Sequence, residues 1–136
     1  MTTETYFYKL NNEMRTVTRA PKQRLIQIHQ VCDNGHNGIN FTAHKEARSN
    51  LSKNAFELYD YLEFLPDGIV WAMSSSNLYK ESALKEKTYS LAFQELLDKG
   101  YLFECPIKVA DGVVKYDAYH FYEDNKLNPK AQFSHC

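Results

Sequence analysis

Phe93-Gln94-Glu95-Leu96-Leu97-Asp98-Lys99-Gly100-Tyr101-Leu102-Phe103-Glu104 is the stretch whose reading decides the fold. Upstream of Gly100, the apolar residues Tyr89, Ala92, Phe93, Leu96 and Leu97 recur at three- and four-residue spacings. That spacing places them on one stripe of a helix and predicts a helix from about Lys85 to Lys99. Gly100 fits the left-handed position that ends many helices, because it has no Cβ to clash there. Tyr101 to Cys105 then reads as a strand. Asp111-Gly112 marks a turn, and Val113 to Tyr122, rich in β-branched and aromatic residues, reads as the returning strand.

Working upstream, Ser52 is a good helix cap, since its hydroxyl can accept an orphan backbone N–H. Leu51 and Phe56 stand at the spacing of a hydrophobic staple around it. Ala55, Phe56, Tyr59, Leu62 and Glu63 continue at helical spacing, with Leu58 and Leu65 widening the apolar face. Pro66-Asp67-Gly68 ends that helix. Ile69 to Met73 is short and rich in β-formers, so a strand is expected there. Ser74, Ser75 and Ser76 offer caps for a short helix from Ser76 to Ser82 with Leu78 inward, followed by a break at Ala83-Leu84.

The first fifty residues carry weaker patterns. Thr5 to Leu10 is aromatic-rich and strand-like. Arg24 to Val31 partly alternates apolar and polar, Asp33 to Gly38 is a turn cluster, and Ile39 to Ala43 suits a returning strand. The expectation is a β-hairpin over residues 25–43. The segment from Glu123 to Cys136 is polar and reads as a tail, frayed or docked on a partner.

Taken together, Leu51–Leu65, Pro66-Asp67-Gly68, Trp71–Ser74, Leu78, Leu84, Thr88-Tyr89, Ala92-Phe93, Glu95-Leu96-Leu97 and Lys99 to Leu102 resemble the winged helix-turn-helix fold. The resemblance runs from Leu51 to Phe121 and is nearest to phage and plasmid replication-initiation or regulatory modules of Gram-positive bacteria. It implies an α+β chain in three parts: a basic, β-rich N-terminal extension (1–50), a winged helix domain (51–122) and a polar tail (123–136). It also implies binding to double-stranded DNA, in transcription control or in replication of a mobile element. The longer helix would enter the major groove, where Lys85, Lys87, Thr88, Ser90 and Gln94 can meet phosphates or base edges. Lys108 and Lys115 would flank the wing tip. Arg15, Arg19, Lys22 and Arg24, a run with no acid after Glu13, would follow the phosphate backbone. Many such modules act as homodimers on two-fold sites.

A rival reading starts from the departures. Leu91 stands where such helices often expose a base-contacting cation, and Glu86 and Glu95 bring negative charge to the proposed reading side. Ala83 replaces the commoner turn glycine, and Tyr79 is bulky where a small residue lets two helices close. These residues suit a winged scaffold turned to protein binding, such as a phage-encoded inhibitor of a host nucleic-acid enzyme.

Composition bounds both readings. The chain has 136 residues, the size of one ordinary domain, and is 43% hydrophobic and 24% charged, a globular balance. Net charge is −1, but Lys9 to Lys53 holds eight Lys or Arg against three acids, while the chain from Asn54 onward holds eight Lys against thirteen acids. Such asymmetry can mark a half that faces an anion, or merely a solvated basic face. No apolar run approaches the roughly 20 residues of a membrane span, and the first residues lack the pattern of a signal peptide. With three cysteines, an odd number, the expectation is a reduced, cytoplasmic protein.

Chemistry-bearing patterns are sparse. His29, Cys32 and His36 fall at H-x2-C-x3-H, with His44 or Cys105 as conceivable further ligands. The paired close spacings of a structural zinc site are missing, so no metal or cofactor is expected. Cys105 and His120 could lie near each other in the last hairpin, with Cys105 more simply a core residue. Asp60 and Glu63 read as a solvated helix face. No phosphate-cradling glycine loop or nucleophile elbow occurs, and no enzyme is expected.

Overall fold

A computed structural model of the chain describes residues 3–10, 12–20, 23–31, 40–74, 78, 84–105, 107–108, 114–115 and 118–129. Among the described residues the fold is mixed α/β, with a β-rich N-terminal region and three helices described along their length. The elements are β1 (Glu4–Leu10), β2 (Glu13–Arg19), β3 (Gln23–His29), α1 (Phe41–Asn50), α2 (Lys53–Glu63), β4 (Val70–Ser74), α3 (Glu86–Asp98), β5 (Leu102–Glu104), β6 (Ile107–Lys108), β7 (Val114–Lys115) and β8 (Ala118–Tyr122). A 3-10 turn, Asn125–Leu127, follows. Among the described residues, no helix is long and apolar enough to cross a membrane.

The centre is a four-stranded sheet in the order β4-β3-β8-β5. β3 runs parallel to β8, with Ile26 opposite Tyr119 and Ile28 opposite Phe121, and antiparallel to β4, with Ile26 opposite Trp71. β5 pairs antiparallel with β8. Alternation along these strands sends Ile26, Ile28, Met73, Leu102, Tyr119 and Phe121 to one face. There they meet Leu58, Tyr59 and Leu62 of α2 and Tyr89, Ala92, Phe93 and Leu96 of α3, in one core that also holds Leu78. The sheet is therefore built from both sides of residue 50. A strand of the expected extension lies between β4 and β8, two strands of the expected winged domain. That placement departs from a self-contained winged helix spanning 51–122.

The helix boundaries follow local chemistry. Ser52, extended at ψ 163°, accepts from the Ala55 N–H and caps α2, with Leu51 buried beside it. Gly68 (φ +76°) and Gly100 (φ +84°) both take the left-handed conformation after their helices. At Gly68 an added Cβ would also run into the Leu10 side chain. α3 and β4 fall within a residue or two of where periodicity places them.

The expected hairpin over 25–43 does not form as drawn. Its first strand is β3, but the supposed return strand enters α1 instead. Asn40 is extended and its side chain accepts from the Ala43 N–H at 2.9 Å, a helix N-cap. Ala43 and Ala47, one turn apart, are the buried side of α1. The hairpin partner in this region is earlier. β1 pairs with β2 through a turn where Asn12 holds φ 65°, a conformation asparagine tolerates better than most residues. The turn cluster 33–38, the short helix apart from Leu78, and the wing tip lie outside the described residues.

Residues 123–129 do not behave as a loose tail. Glu123 and Asn128 are buried, and Asn128 Nδ2 donates to the Gly100 carbonyl at 2.7 Å. The segment docks on the domain it leaves, and the residues after it lie outside the description.

Candidate nucleic-acid interface and a buried carboxyl cluster

α3 separates cleanly into two sides. Tyr89, Ala92, Phe93 and Leu96 are buried, whereas Lys85, Lys87, Ser90, Leu91 and Gln94 are exposed and Thr88 is half-buried. Gln94 Nε2 donates to Asp98 Oδ1 at 2.9 Å, one turn along the same exposed side. Lys85 occupies the N-cap position without a side-chain cap hydrogen bond, unlike the capped starts of α1 and α2. The first-turn amides of α3 thus receive no capping oxygen from Lys85, and the helix dipole leaves partial positive charge there.

Glu95 is corrected by the geometry. It is not part of the outward side: its carboxylate accepts from the Ser52 N–H at 2.7 Å and from the Ser52 hydroxyl at 2.8 Å. A carboxylate at the α2 N-terminus is favourable for the dipole of that helix. One of the two acids that argued against an anionic partner is therefore engaged elsewhere. Nothing is described of the Glu86 side chain.

The basic residues of the N-terminal half divide. Arg19 is buried and bound in place: its guanidinium meets the Glu4 carboxylate at 3.2 Å and donates to the Gln23 carbonyl at 3.1 Å. Arg24 is half-buried; it donates to the Tyr89 hydroxyl at 2.8 Å and lies 4.4 Å from the centre of the Phe93 ring. Both serve packing, one in the β1–β2 hairpin and one between β3 and α3. Arg15 stays exposed near Glu13. Lys22 lies outside the described residues. Lys108 and Lys115 belong to the paired strands β6 and β7, the base of a wing-like hairpin, and only their backbone is described. The structure therefore leaves Lys85, Lys87, Ser90 and Gln94 exposed along α3 and its N-cap, and holds Arg19 and Arg24 in contacts elsewhere.

A second constellation lies where α1, α2 and the end of β8 meet. Glu63 and Glu123 are both fully buried. The Glu123 carboxylate accepts from the Val31 N–H at 2.8 Å and the Asn40 N–H at 3.0 Å, so it fastens both ends of the segment between β3 and α1. Glu63 Oε1 lies 2.7 Å from His44 Nδ1, and the Tyr59 hydroxyl stands 3.2 Å from Oε2 while donating to the Glu123 carbonyl at 2.7 Å. Burial pushes the Glu63 carboxyl up to about 9, helped by its hydrogen bond to Glu123 and that neighbour's charge. Burial likewise pushes the Tyr59 hydroxyl well above its ordinary value. The expectation of a solvated face at Asp60 and Glu63 holds only for the half-buried Asp60.

On the far face of the sheet, His29 Nε2 and His120 Nδ1 are 2.8 Å apart, and His29 stacks on Tyr122 with ring centres 4.8 Å apart. Burial lowers both imidazoles below the usual histidine range, and the charge of His29 lowers His120 further. His29 is thus paired across the sheet; Cys32 and His36 lie outside the described residues. Cys105 lines a small cavity together with His120 and Tyr6.

Glu123 escaped the sequence reading, and His44 entered it only as a conceivable further ligand for the His29, Cys32 and His36 pattern. The helix that carries His44 was hidden by the strand expected at 39–43, although Asn40 three residues before Ala43 was the cap that announces it. Glu123 carries no local signal, because its role is to accept N–H groups distant in sequence. No protein-family model, curated protein or solved structure matches this chain.

Proposed function

We propose that the chain is a double-stranded DNA-binding protein of winged helix-turn-helix type, reading the major groove with the exposed side of α3. The observation that carries this is the division of α3. A buried apolar stripe anchors it on α2 and the sheet, and Lys85, Lys87, Ser90 and Gln94 stand outward from its first turns. A helix fits the B-DNA major groove with N-terminal side chains toward base edges. The N-terminus of α3, uncapped by Lys85, is suited to a phosphate. The paired β6 and β7 supply the base of a wing. Regulation of transcription or replication of a mobile element is the role this class of module serves.

A labelled mixed-sequence duplex titrated by fluorescence anisotropy at two salt concentrations tests the reading. For about four phosphate contacts, affinity falls on the order of tenfold per doubling of salt. Lys85→Glu with Lys87→Glu abolishes binding while leaving the thermal melt in place. No binding at low salt removes the proposal.

Leu91 supports a second reading. It is 69% exposed in the middle of the same surface, where a protein partner would seat an apolar anchor. Leu91→Ser separates the two: it leaves salt-dependent duplex binding largely intact and weakens a protein contact.

A further inference from the structure

His44 of α1 and Asp60 and Glu63 of α2 bring one imidazole nitrogen and two carboxylate oxygens within 4.8 Å of one another. Asp60 and Glu63 share a side of α2 because they are three residues apart. Imidazole with carboxylates is a donor set that suits zinc and similar divalent transition ions. We propose that these three residues bind one such ion, with water completing the coordination.

Burial and pairing argue for a cation here. Glu63 and Glu123 are both fully buried and share a hydrogen bond. Among the described residues, no Lys or Arg pairs with either. Arg48, on the same helix as His44, lies over the Phe56 ring instead. Glu123 is satisfied by two backbone N–H groups, and Glu63 is the deep ligand, with His44, the Tyr59 hydroxyl and Glu123 beside it. A carboxyl this deep is costly as an anion, and a cation that displaces its proton would offset that cost.

The geometry is close to what coordination needs. Zinc bonds of about 2.0–2.2 Å place neighbouring ligand atoms on a tetrahedron roughly 3.3 Å apart. The 2.7 Å approach of His44 Nδ1 to Glu63 Oε1 has to open slightly, and Asp60 has to swing inward. Asp60 and His44 are half-buried, so both sit at the rim, where small side-chain rotations and an entering water are possible. The supporting contacts already exist. Phe56 packs edge-on against the His44 ring at 5.1 Å, and the Tyr59 hydroxyl sits at the other oxygen of Glu63. Such outer contacts orient ligands in metal sites. A bound ion would clasp α1 to α2 beside the point where Glu123 ties the end of β8 to residues 31 and 40. The inference is independent of the DNA-binding proposal.

The test is titration of chelator-stripped, full-length protein with zinc chloride by calorimetry, with the thermal melt and the cobalt(II) absorption spectrum alongside. The expected result is one ion per chain, a raised melting midpoint and a cobalt spectrum without thiolate charge transfer. His44→Ala and Asp60→Asn each lower affinity at least tenfold. Glu63→Gln abolishes binding; should that variant fail to fold, the two rim variants decide. Absence of binding overturns the proposal. So does binding unchanged in His44→Ala and Asp60→Asn, or a thiolate band lost in Cys32→Ser, which would put the ion in the segment between β3 and α1.

Discussion

Glu123 joins three distant parts of the chain through one carboxylate. It follows β8 directly, yet it accepts the amides of Val31 and Asn40, 92 and 83 positions earlier. Removing it strands two N–H groups, each of which costs free energy when unpaired. Glu123→Ala is expected to lower the stability measured by urea unfolding by about 2–4 kcal/mol. An effect near zero would mean that those amides find other partners. The His29–His120 pair gives a pH prediction. Both folded pKa values lie below the free value of 6.5, so the unfolded chain takes up more protons as pH falls. Their contribution is present above about pH 6.5 and is lost as pH drops below it. Melting midpoints should therefore decline on acidification, and the imidazole resonances of both residues should titrate below 6.5 by NMR. Ordinary values for both would refute the burial argument. At this scale the sequence was least legible. Glu63 falls at the spacing of the apolar stripe and Asp60 does not, but an acid there reads as solvated until α1 packs over it.

The elements were legible where a cap and a stripe agreed. Ser52 ahead of α2 and Gly100 after α3 mark their boundaries, and the Tyr89, Ala92, Phe93, Leu96 stripe proved to be the buried side. α1 was missed because its apolar side is only Ala43 and Ala47, too little to outweigh the β-like Ile39 and Phe41. Glu95 misled for another reason: its position on α3 is visible in sequence, but its reach to Ser52 depends on how α2 and α3 pack. Ser52 does two things in the structure, capping α2 and donating to Glu95. Ser52→Ala should cost about 1 kcal/mol, read as a lower denaturation midpoint with an unchanged m-value. A cost several-fold smaller would show that the cap contributes little.

For the whole molecule, β3 matters most. Sequence patterns divide the chain at residue 50, because the strong helical signals begin there. Strand pairing crosses that boundary: Ile26 and Ile28 are fully buried between β4 and β8. A fragment beginning at Leu51 should show no cooperative thermal melt, since it lacks a central strand and leaves an unpaired edge on both β4 and β8. Cooperative folding of that fragment would restore the simpler division.

The same architecture anchors α3 by its buried stripe and leaves Lys85 and Lys87 exposed. The central claim, that the exposed side of α3 meets DNA, is tested most directly by mapping backbone amide shifts of the full-length protein on adding a short duplex at low salt. The account predicts shifts concentrated from Lys85 to Gln94, with smaller ones in β6 and β7, all suppressed by salt. Shifts confined to the β1–β2 hairpin or to the surface around Asp60, or none at all, would contradict it.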